Sequence, residues 1–161
     1  MADTLINARG ETLEDRWIHL ADDEAAPSEG ALLLSLSRWQ GEADTLRQRA
    51  QPLGLRLANT VDPAELGEAI HAFALIVLEF PQFMDGRAFS QARILRDRLG
   101  FSGELRAAGD IAPDQLFYLR RCGFDSFAVP SPPAKGLDKF LQPFSQAYQP
   151  GARRPEQSPR G

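Results

Sequence analysis

Two stretches of the chain gather side chains able to handle a charged ligand. The first, residues 79–90, holds Glu79, Asp85, Gly86, Arg87 and Ser90. Arg87, Ser90 and the unpaired amides in the first turn of a following helix can grip an oxyanion together. A guanidinium forks onto two oxygens, and helix N-terminal N–H groups have no partner within the helix. Asp85 then orients Arg87 or exchanges a proton. The same residues also have a plain structural use. Asp85-Gly86 makes a turn, Ser90 satisfies helix amides, and Arg87 pairs with a nearby acid. The second stretch, residues 106–115, sets Arg106 and Asp110 on either side of a strand end. Glu79, Asp85, Arg87, Arg106 and Asp110 then surround one edge of a sheet. That arrangement fits a polar ligand, a docking partner or an internal salt-bridge network.

Other chemistries find less support. Cys122 is the single cysteine, so neither an internal disulfide nor a cluster held by several cysteines of this chain is available. Arg120 and Arg121 beside it favour a thiolate, but the end of a helix opposes one, and a buried structural thiol is the better reading. His19 and His71 lack metal-ligand spacing, so no metal site is expected. A dinucleotide fingerprint, a phosphate loop and a nucleophile elbow are all missing from the sequence, and no cofactor is expected.

The elements that must position these residues alternate from residue 31 onward. Apolar runs at 31–34, 53–58, 73–78, 105–108 and 126–129 read as strands, the third being the unbroken type expected of a strand covered on both faces. Between them lie helical patterns at 36–49, 63–72, 89–99 and 113–122. Asp62-Pro63-Ala64-Glu65 is a helix start, with Asp62 as the cap. Gly100-Phe101 and Gly123-Phe124 read as stops, where Gly takes the left-handed position and Phe folds back on the last turn. Strands alternating with helices predict a single α/β domain with a parallel sheet, either open and doubly wound or a partial β/α barrel. A full barrel needs about 200 residues or more. Ligands of such sheets collect at the strand carboxyl ends, where both charged stretches fall. The organisation expected is a loosely packed lead-in at 1–30 (with 17–20 as a candidate short strand) and the α/β domain at 31–130. A Pro-rich connection and helix follow at 131–148, then a disordered tail at 149–161.

Composition bounds the setting. The 161 residues carry a net charge of −4, which argues against nucleic acid as the main partner. No apolar run approaches the ~20 residues of a membrane span, and no basic region with a following apolar stretch opens the chain, so a cytoplasmic location off the membrane is expected. All but two of the 18 basic residues are arginine, the side chain suited to planar recognition of oxyanions.

The run from Phe80 to Arg93, continued by Gly103–Asp110 and Asp114-Gln115-Leu116, resembles the bacterial domain of unknown function 934 family. Arg121-Cys122-Gly123-Phe124-Asp125, and Leu53–Leu57 ahead of Asp62-Pro63, fit the same pattern. The resemblance covers about residues 5–130 and leaves the Pro-rich stretch after Val129 outside the common core. It implies a place in assimilatory sulfite reduction, because members are typically encoded beside the sulfite reductase hemoprotein and often carry an oxidoreductase label. No catalytic residue of the family is established, so none carries over. The expectation is an accessory protein acting with the hemoprotein or its electron donor, redox chemistry belonging to the partner. The alternative is a module or enzyme that binds a small oxyanion through Arg87 and Arg106.

Overall fold

The computed structural model describes residues 4–81, 86–111 and 113–129. The C-terminal helix and tail expected after Val129, and Asp85, lie outside the described residues. Among the described residues eight strands run in chain order: β1 (Thr4–Asn7), β2 (Thr12–Leu13), β3 (Ile18–His19), β4 (Leu32–Ser35), β5 (Leu53–Leu57), β6 (Leu75–Phe80), β7 (Glu104–Gly109) and β8 (Ser126–Val129). They form one sheet ordered β2-β1-β8-β7-β6-β5-β4-β3.

From β3 to β8 every neighbour is parallel and consecutive in sequence. The order never reverses, so right-handed crossovers stack all the helices on one face. This is a singly wound, curled half-barrel, and the doubly wound alternative is set aside. The sheet is not wholly parallel either. β1 lies antiparallel to β8 and β2 antiparallel to β1. The lead-in expected at 1–30 therefore supplies three strands. A short turn makes this hairpin: the Asn7 side-chain oxygen accepts from the Arg9 and Glu11 amides, and Gly10 sits at φ 86°. β3 falls within the short strand expected at 17–20, whereas β1 and β2 carry too little periodicity to stand out in sequence.

The chain passes from β2 at one sheet edge to β3 at the other through residues 14–17 alone. Eight strands laid flat spread over about 34 Å, whereas five residue steps reach at most about 18 Å. The sheet must curl, and residues 14–17 form a strap across its concave side.

Alternation divides the side chains. Leu34, Leu55, Leu57, Ile76, Leu78, Phe80, Leu105 and Phe127 point to the convex face, where the helices bury them completely. Leu33, Leu75 and Val77 point to the concave face and pack under Trp17 of the strap. The Trp17 ring lies across Gly54, where an added Cβ would stand 3.2 Å from it.

The helices follow the sequence signals with local differences. α1 (Leu36–Leu46) starts at Ser35, whose hydroxyl accepts from the Arg38 amide, and Trp39 buries itself edge-on against Phe73. Asp62 caps the next segment as expected, but Gly67 at φ 54° breaks Pro63–Ala72 into 3-10 turns in place of an α-helix. α2 (Gly86–Arg93) begins before Phe89 and ends in one π turn, Ile94–Arg98. α3 spans Leu116–Arg121. Gly100 and Gly123 take positive φ, 71° and 109°, and Phe101 and Phe124 fold back into the core. Arg96, fully buried, joins these two helix ends: its guanidinium donates to the carbonyls of Phe101, Gly103 and Gly123 and to Asp125.

Candidate functional site: the cavity under the strap

Strand register fixes which polar side chains share the concave face. Arg56, Val77, Arg106 and Ser126 occupy one row across β5, β6, β7 and β8. Glu79 lies two residues further along β6, on the same face. Together with Asp15 and His19 of the strap side, Arg56, Val77, Glu79 and Arg106 line a cavity of about 710 Å³ that reaches the carboxyl ends of the central strands. Leu5, Leu33 and Ala108 complete an apolar wall.

Arg106 is the anchor of this surface and is only 4% exposed. Its Nη2 donates to Glu104 Oε2 at 3.1 Å and its Nε to Ser126 Oγ at 3.2 Å. The Ser126 hydroxyl in turn donates to Glu104 Oε2 at 2.6 Å. From above, Asp15 Oδ1 stands 3.6 Å from Arg106 Nη1. Asp15 also accepts from the Trp17 amide and meets His19 Nε2 at 2.6 Å. Burial of Asp15 works to raise its pKa. Hydrogen bonds from His19 and the Trp17 amide, with the Arg106 charge, outweigh that and hold its carboxyl below the ordinary carboxylate value. A chain of contacts thus runs from β8 through Arg106 to the strap.

Arg56 and Glu79 differ from Arg106. Both are half-buried and both line the cavity, yet neither makes a side-chain hydrogen bond or ion pair with any described residue. A second depression of about 430 Å³ lies at the amino ends of β5 and β6 near Arg49 and His71. There the Arg49 guanidinium is occupied by the carbonyls of Pro27 and Gly30.

Of the residues singled out in the sequence, Glu79 and Arg106 meet on the cavity wall. Arg87 and Ser90 are exposed on α2 and Asp110 is exposed after β7, and none of the three is among the described lining residues. The Ser90 hydroxyl is turned back to the Gly86 carbonyl at 3.4 Å, not to helix amides. Gly109, at φ 113°, lets β7 press against the Phe80 carbonyl, and the Asp110 amide bonds that carbonyl at 2.8 Å. Asp15, His19 and Arg56 were not expected at a site. A polar residue alternating with Leu53, Leu55 and Leu57 was the available signal for Arg56. Nothing local marks Asp15 or His19, because only the curl of the sheet brings the strap over Arg106.

Among the described residues, no cluster of three or more His, Cys, Asp or Glu side chains is arranged to hold a metal ion. No helix among them is long and apolar enough to cross a membrane. Neither a curated protein nor a solved structure matches the chain. The family described as "Bacterial protein of unknown function (DUF934)" matches residues 54–158. That span begins later than the resemblance expected from about residue 5, leaves the strap outside, and runs past Val129 into the stretch placed outside the common core. With Arg56, Glu79 and Arg106 all inside the matched span, the chain belongs to this family.

Proposed function

We propose that the protein is an accessory of assimilatory sulfite reduction that holds a small oxyanion-bearing molecule in the cavity under the strap. The observation that carries the binding half of this reading is Arg56. A guanidinium kept half-buried on a cavity wall loses hydration that no side chain among the described residues replaces. An oxyanion completes it with short, charge-assisted, bidentate hydrogen bonds. Arg106 stands across Val77 in the same register row, about 10 Å away from backbone to backbone, and adds positive potential from behind. Arg56 thus fills the role expected of Arg87, on a rigid strand in place of a helix start.

The pathway half rests on the family resemblance, which ties members to the sulfite reductase hemoprotein. On this reading the chain acts beside the hemoprotein or its electron donor in the cytoplasm, with electron transfer carried out by the partner.

The test is growth of a deletion strain on sulfate, sulfite or sulfide as the sole sulfur source, complemented by the wild type or by Arg56→Gln. The expected outcome is failure on sulfate and sulfite, rescue by sulfide, and no complementation by the variant although it accumulates as folded protein. Normal growth of the deletion strain on sulfite contradicts the pathway half. Full complementation by Arg56→Gln contradicts the site.

A further inference from the structure

The charges lining the cavity are not equally available to a ligand. Arg106 is already answered by Glu104 and Ser126 and approached by Asp15, and Asp15 is answered by His19 and the Trp17 amide. What remains is one cation, Arg56, and one carboxylate, Glu79, both half-buried and without a described partner. They do not pair with each other. Arg56 lies opposite Val77, so Glu79 is its diagonal neighbour, one strand across and two residues along on the same face. This separates their backbones by about 8 Å. As diagonal neighbours on one face they direct both side chains into the same part of the cavity, where one small molecule can reach both charges.

We infer that the ligand is a zwitterion of the α-amino acid type, its carboxylate or equivalent oxyanion on Arg56 and its ammonium on Glu79. This deepens the oxyanion reading and rests on it. A plain oxyanion satisfies Arg56 but is repelled by Glu79, and a plain amine has the reverse difficulty. A zwitterion answers both half-buried charges at once and leaves the net charge of the cavity unchanged, its own charges offsetting the hydration that Arg56 and Glu79 lose. The apolar wall of Leu5, Leu33 and Val77 then faces the rest of the molecule, which gives an aliphatic side chain of several carbons a surface to cover.

A matched set of probes tests this by titration calorimetry on the full chain: L-norvaline, pentanoate (which lacks the ammonium), butylamine (which lacks the carboxylate) and sulfite. The expected result is L-norvaline binding at least about tenfold more tightly than pentanoate or butylamine, with that preference lost in the near-isosteric Glu79→Gln. Arg56→Gln is expected to abolish binding of L-norvaline, and circular dichroism confirms that both variants are folded. Pentanoate or sulfite binding as tightly as L-norvaline overturns the zwitterion inference and leaves the oxyanion reading standing. A preference that persists in Glu79→Gln likewise overturns it. Absence of binding by all four probes removes both.

Discussion

Asp15 ties the protonation of one carboxyl to the contacts that hold the strap against Arg106 and His19. Held below its ordinary value, the carboxyl contributes stability that is present above about pH 4 and is lost as the pH falls through its lowered folded value. Asp15→Asn is therefore expected to lower stability at neutral pH and to flatten the acid limb of the stability curve, read by urea unfolding at successive pH values. Arg96 is expected to matter more to folding. Its side chain is wholly buried and holds three carbonyls and Asp125, so Arg96→Ala leaves those acceptors unanswered at about 3–5 kcal/mol, measurable by chemical denaturation. Cys122 is inert by construction. Burial pushes its thiol up, outweighing a hydrogen bond from Tyr118 and the charges of Arg93 and Arg121. A disulfide reagent is expected to modify it slowly in the native protein and at once in denaturant. The sequence supported that reading of the thiol, but it was silent on Arg96, whose partners lie on loops separated from it by up to 29 residues.

At the scale of elements, the strap and the β6–β7 edge set the shape of the cavity. Gly54 is a glycine because Trp17 and Leu33 occupy the space where a side chain would go. Gly54→Val is expected to lift the strap, shown by red-shifted fluorescence of Trp17 in a Trp39→Phe background and by faster amide exchange over residues 14–19. Gly109→Ala meets both a positive φ and the Phe80 carbonyl. It is expected to cost about 1–3 kcal/mol, checked by thermal unfolding. The five strands from β4 to β8 were legible because long apolar runs and glycine stops recur between helical patterns. The hairpin of β1 and β2 was not, since its strands draw their stability from β8, far away in sequence.

The described residues form a half-barrel whose helices cover the convex side and whose concave side is bridged by residues 14–17. Alternation of strands and helices announced a parallel sheet and directed attention to its carboxyl edge, which is where Glu79 and the cavity stand. It left the curl open, as the partial-barrel alternative, for strand order and strap length to decide, and it held no signal that residues 14–17 cross over Arg106. The central claim, that the concave face binds a small oxyanion-bearing molecule, is tested most directly by following arginine side-chain Nε–H and backbone amide resonances by NMR as sulfite and L-norvaline are titrated in. Saturable shifts at Arg56, Arg106, Glu79 and the strap, with Arg87 and Asp110 unmoved, are the expected result. Shifts confined to Arg87, Ser90 or Asp110, or no shifts with either molecule, contradict it.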